Sequence, residues 1–165
     1  MVTKANFSAD EWKKILEAPL LAGFAVSAGD PSGFVGVLQE GLANAKALAE
    51  AKSTGGGGDE LIRPVVDDLL TSEGRTAARD GVKAVIQGAK LEEIKGLALA
   101  ELGRTAAILD AKAPGDAKAF KAWLNHIANT VAEAGTEGGF LGFGGVKVTE
   151  SEKATLAEIS RALGA

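Results

Sequence analysis

The chain contains no cysteine, no tyrosine and a single histidine. Without cysteine there is no disulfide framework, no thiolate metal site, no cysteine nucleophile and no cysteine-attached haem or bilin. Long apolar runs are missing too. The uncharged stretch at 18–29 (APLLAGFAVSAG) covers 12 residues, whereas a bilayer span takes ~20. Asp10, Glu11 and Glu17 stand where a secretory signal would carry basic or apolar residues, so 18–29 reads as a buried core helix and the expected compartment is the cytoplasm. Basic charge is not in excess: 18 Lys and Arg against 22 Asp and Glu leave a formal net charge of −4. That is not the basic stripe of a nucleic-acid binder, and no nucleic-acid partner is expected.

What remains is a chain of 165 residues, 46% hydrophobic and 24% charged, the size and composition of one globular domain. Alanine, leucine, glutamate and lysine dominate, and β-branched runs are absent, which favours helix throughout. Ser8 with Glu11 forms a capping box, opening a helix that Pro19 is expected to interrupt before a second short helix through Val26. Asp30-Pro31 marks another start, with a helix to about Lys52. The run STGGGG at 53–58 reads as a flexible connector within a single domain over 1–165. Further helices are expected from Asp59, with Pro64 tolerated only in the first turn or as a kink, and from Ser72 to Gln87 with Gly88 as the stop. Another runs from Leu91 to Lys112, with Leu91, Ile94, Leu97, Leu102 and Leu109 inward. In the helix over 116–134, Phe120, Trp123, Leu124, Ile127, Ala128 and Val131 fall at i, i+3, i+4, i+7, i+8 and i+11 on one face. Gly135 is expected to end it. Thr149 and Glu152 form a second capping box before the last helix. The sum is an all-α compact bundle of seven or eight helices without significant sheet.

Catalytic constellations are hard to assemble. His126 has no second histidine to complete a Glu-x-x-His pair, no G-x-S-x-G elbow occurs, and it reads as a surface or boundary residue. Asp67-Asp68 and Glu92-Glu93 are adjacent, so their side chains diverge by about 100° around a helix and cannot share a metal or proton. No catalytic residue, metal ligand or cofactor is expected. Arg75, Arg79 and Arg104 are candidate anion contacts through bidentate guanidinium groups, although local ion pairing accounts for such arginines more simply. Arg75 and Arg104 belong to an internal echo, Gly74-Arg75-Thr76-Ala77-Ala78 and Gly103-Arg104-Thr105-Ala106-Ala107, too short to establish a repeat. Gly74, Gly81, Gly88, Gly96 and Gly103 recur every seven or eight residues, a spacing that suggests close packing of two consecutive helices.

The segment 135–145 (GTEGGFLGFGG) holds six glycines and three large apolar residues, Phe140, Leu141 and Phe143. It fits neither nucleotide-binding glycine fingerprint. Folded inward it would plug the bundle, since exposing each large group forfeits ~1.5–3 kcal/mol of burial. Exposed, it would dock on a partner, and it is the first candidate for a recognition loop.

The stretches GGFLGFGGVKVTESEKATLAEISRALG, LLAGFAVSAGDPSG, SEGRTAARD and AILDAKAPGDAKAFKAWL resemble small uncharacterised bacterial all-helical proteins ending in GGFLGFGGVxV, a resemblance that implies no activity. Gly145-Val146-Lys147-Val148-Thr149-Glu150-Ser151-Glu152 is also similar to the Asp-Gly-x-Val-Ser-x-x-Glu helix entries of tellurite-resistance TerB-type domains. Gly144 stands where their acidic residue would be, and no ligand is carried over. The expected role is therefore non-enzymatic: binding a protein partner or a second copy of the chain. The alternatives are a carrier of a small apolar ligand, with a pocket near Phe24, Phe34, Trp123 and Phe140, and a TerB-like stress-response domain.

Overall fold

A computed structural model describes residues 2–27, 60–137 and 148–165. The expected helix over 30–52, the connector at 53–58, Phe34 and the recognition-loop residues Phe140, Leu141 and Phe143 lie outside the described residues. Those described form a short 3-10 turn, Lys4–Asn6, and six α-helices: α1 Ala9–Val26, α2 Ile62–Leu69, α3 Ser72–Ile86, α4 Leu91–Lys112, α5 Pro114–Glu137 and α6 Glu150–Leu163. There is no strand among them. Six replaces the expected seven or eight for two reasons: the helix over 30–52 is not among the described residues, and Pro19 does not split α1.

α1 is the hub, with every other helix packing against it. It buries Trp12, Ile15, Leu16, Ala18, Leu21, Ala22 and Ala25, together with Glu17, Pro19 and Gly23. A helix buried nearly all round is the core of its bundle. This is why Pro19 is tolerated. A proline in a helix interior costs about 3 kcal/mol, while burying Ile15, Leu16 and Leu21 returns ~1.5–3 kcal/mol each. Breaking the helix at Pro19 would forfeit more than the proline costs.

The local signals at the helix ends act as the residues require. Ser8 Oγ accepts from Glu11 N at 3.2 Å and Glu11 Oε2 accepts from Ser8 N at 2.7 Å. Thr149 and Glu152 repeat the exchange at 3.2 and 2.7 Å. Pro64 falls in the first turn of α2, where the missing N–H costs nothing. Gly88 adopts φ 76° just after α3, the left-handed conformation that closes a helix at low steric cost. Two stops differ. The break between α4 and α5 narrows to Ala113, with Pro114 as the first helical residue. α5 continues through Gly135 to Glu137: a helical glycine costs only about 1 kcal/mol, and that helix is anchored along its apolar face.

That face of α5 is as the periodicity predicts. Phe120, Trp123, Leu124, Ile127, Ala128 and Val131 are all buried, with the Phe120 and Trp123 rings edge-to-face at 5.1 Å. On α4 the buried positions are instead Ala98, Glu101, Leu102, Thr105, Ala106 and Leu109. Leu97 is exposed and Ile94 half-buried. The spacing i, i+3, i+4, i+7, i+8, i+11 is intact, but small and polar residues hold four of its six positions. Choosing core residues by hydrophobicity alone therefore selects the wrong side of the first half of this helix. α2 buries Ile62, Val65, Val66 and Leu69, while Leu70, just past its end, is 43% exposed.

The glycine series divides. A Cβ at Gly74 would lie 2.1 Å from the Asp68 carbonyl oxygen, and one at Gly81 would lie 1.9 Å from Glu17 Oε1. Both are close-packed against neighbouring segments. Gly96 faces open space, and Gly103 meets only Ala162 O at 3.5 Å. Close packing thus holds for α3 and fails for Gly96.

Candidate functional site

Charges are rarely buried unless paired, so the buried acids are where chemistry would be sought. Glu17 of α1 is 4% exposed and Glu101 of α4 is 3% exposed. Lys14, one turn before Glu17, bonds through Nζ to Glu101 Oε1, and Arg104 Nη1 bonds to Glu101 Oε2 at 2.7 Å. Thr105 Oγ1 donates to the Lys14 carbonyl oxygen at 3.4 Å. α1 and α4 are therefore joined by a small charged cluster at the edge of an apolar interface, its carboxylates buried and Arg104 exposed. Burial pushes the Glu101 carboxyl up, but the hydrogen bonds from Lys14 and Arg104 outweigh it and hold it below the ordinary 4.5. For Glu17 burial wins. Its carboxyl is raised, with Lys13 and Lys14 opposing the rise and Glu101 adding to it.

Two neighbouring carboxyls displaced in opposite directions are the signature of an acid and base pair. The arrangement here lacks what a reaction needs. Each oxygen of Glu101 already accepts from a cation, and both side chains are closed off by packing. What the cluster can do is hold α1 against α4.

A second network ties the N-terminal turn to α2. Asp68 Oδ2 accepts from Trp12 Nε1 at 2.7 Å and from Lys4 Nζ at 2.9 Å, and Lys4 Nζ stands 5.8 Å from the Trp12 ring centre. Burial pushes the Asp68 carboxyl up, while the Trp12 and Lys4 bonds overcome this and leave it below the ordinary 3.8. Elsewhere Lys121 Nζ reaches both oxygens of Asp110 at 2.7 and 2.8 Å, linking α5 to α4. The buried Asp116 accepts from Leu61 N at 3.3 Å, linking α5 to the start of α2. Among the described residues no group of three or more His, Cys, Asp or Glu is placed to hold a metal ion.

Among the described residues the candidate anion contacts have local partners in two of three cases. Arg75 donates to the Leu70 carbonyl oxygen at 2.6 Å and to Ser72 Oγ at 3.3 Å, closing the turn between α2 and α3. Arg104 serves Glu101, and Arg79 is exposed on α3. The echo containing Arg75 and Arg104 does not place equivalent residues alike. Gly74 and Ala78 are buried in the first copy, Thr105 and Ala106 in the second. His126 is exposed on α5. Glu93 accepts from Lys90 N at 2.9 Å at the start of α4. The Thr149 to Glu152 spacing in the TerB-like stretch is taken up in helix capping.

Sequence reasoning missed Glu17 and Glu101 as interior residues. The signal for Glu101 was its position in the α4 stripe between Ala98 and Leu102. The signal for Glu17 was a lone acid leading an otherwise uncharged run. No helix among the described residues is long and apolar enough to cross a membrane. Comparison with protein-family models, curated proteins and solved structures finds no match for this chain.

Proposed function

We propose that the chain is a non-enzymatic cytoplasmic helical protein that acts by binding a protein partner or a second copy of itself, with 138–146 as the contact. One observation carries this reading: Phe140, Leu141 and Phe143 are grouped among five glycines in the sequence between α5 and α6. The buried charges support it from the other side, since Glu101 is engaged by Lys14 and Arg104 and Lys121 is engaged by Asp110. A seventh helix over 30–52 belongs to the same reading, on the strength of its Asp30-Pro31 start. The test is sedimentation velocity of the wild type and Phe143→Asp at matched concentration. The variant keeps its helical circular dichroism and loses association. A variant that associates as the wild type does removes the loop from the contact.

A second reading, a carrier of a small ligand, is favoured by Trp123. Its Nε1–H is buried and finds no acceptor among the described residues, and leaving such a donor unsatisfied costs about 1–3 kcal/mol. A largely apolar ligand with one oxygen would satisfy it. Ligand carried through purification, and displaced with a change in Trp123 fluorescence, would support this reading over the first.

A further inference from the structure

α3 is held to the bundle by small residues. Its buried members are Gly74, Ala78, Gly81 and Val82, so backbones meet closely while little apolar area is removed from water. Into this contact α1 directs Glu17. The carboxylate lies so close over Gly81 that a Cβ there would stand 1.9 Å from Oε1 and 2.1 Å from Cδ. The absence of a side chain at Gly81 is what admits it. Among the described residues no N–H or O–H donates to this carboxylate. Among the described residues the charges acting on it are Lys13 and Lys14 of its own helix, which favour ionisation, and Glu101 of α4, which opposes it; α3 meets it with Gly81. Ionising a carboxylate as little exposed as this one is costly, whereas the neutral acid is tolerated.

We propose that Glu17 is a proton-controlled latch between α1 and α3: the neutral carboxyl keeps α3 seated, and loss of its proton to solvent loosens α3 while the remaining bundle stays folded. Loosening is confined to α3 because water reaches Glu17 once α3 lifts away. Separating α1 from α4, α5 and α6 would instead expose residues such as Ile15, Leu21, Leu102 and Leu124, all 0% exposed. The sign follows from the raised carboxyl. The native state holds a proton that the open state releases, so the seating of α3 is complete below the ordinary 4.5 and weakens as pH rises through the raised value. Glu101 and Asp68, both lowered, titrate on the acid side of that range.

Hydrogen exchange followed by mass spectrometry on the full chain, corrected for intrinsic exchange at each pH, reads the latch directly. In the wild type, protection in Ser72–Ile86 falls by up to about tenfold per pH unit above 4.5, until Glu17 is ionised, while protection in α5 stays level. Glu17→Gln, a neutral side chain of the same shape, removes that slope. The proposal is overturned if α3 and α5 lose protection together, if α3 shows no slope, or if Glu17→Gln keeps the wild-type slope. Should the variant fail to fold, the contrast between α3 and α5 in the wild type decides the matter alone.

Discussion

Replacing Gly74 with alanine tests the packing of α3 at its tightest point. The added Cβ would lie 2.1 Å from the Asp68 carbonyl oxygen and 2.6 Å from its carbon, more than an ångström inside ordinary contact. Backbone atoms cannot swing aside, so α3 must move away from the turn that precedes it. That movement strains the bond from Gly74 N to Thr71 Oγ1 at 2.9 Å and the bond from Thr71 Oγ1 to the Asp68 oxygen at 2.7 Å. Overpacking costs about 1–3 kcal/mol and a weakened cap about 1 kcal/mol, against about 1 kcal/mol gained from alanine's helix preference. The net expectation is a loss of ~1–3 kcal/mol. Gly96→Ala is the control. Its Cβ enters open space on an exposed part of α4, so only the helix preference acts, and stability rises by ~0.5–1 kcal/mol. Urea unfolding followed by circular dichroism gives both values. Equal stability of the two variants would refute the close-packed geometry at Gly74.

Phe120→Ala removes a ring that is 0% exposed and edge-to-face with Trp123, and should cost about 3–5 kcal/mol in the same unfolding experiment. Asp68, held below the ordinary 3.8 by Trp12 and Lys4 against the pull of burial, contributes stability that is present above that value and lost as pH falls through the lowered one. Asp68→Asn should therefore melt at a lower temperature than the wild type at neutral pH, the difference closing as the medium is acidified. Thermal melts across that range measure it, and a constant difference would show that Asp68 does not act through its charge.

The parts of the fold set by local chemistry were legible. Both hydroxyl-and-carboxylate caps, the stop at Gly88 and the apolar face of α5 follow from interactions within a few residues, and the structure repeats them. What escaped was decided by packing at long range. Pro19 reads as a break until α1 is found surrounded by five helices, whose burial outweighs its cost. Gly96 and Gly103 look like members of one series with Gly74 and Gly81, yet of these four only the two on α3 lie too close to a neighbour to admit a side chain. Leu97 reads as core because it is large, while Ala98 is buried because its direction is right. Glu101 and Glu17 look like surface charges until Lys14, Arg104 and the bare backbone at Gly81 are brought to them across three helices. The candidate contact at Phe140, Leu141 and Phe143 rests on sequence pattern.

Native mass spectrometry of freshly purified chain tests the proposed role most directly, because one spectrum reports both assembly and bound ligand. A dimer or a co-purified protein complex in the wild type, reduced to the bare chain by Phe143→Asp, is the result that binding through the 138–146 segment requires. A monomer carrying a small-molecule adduct, with the same spectrum for the variant, would contradict it and turn attention to the buried Trp123 indole.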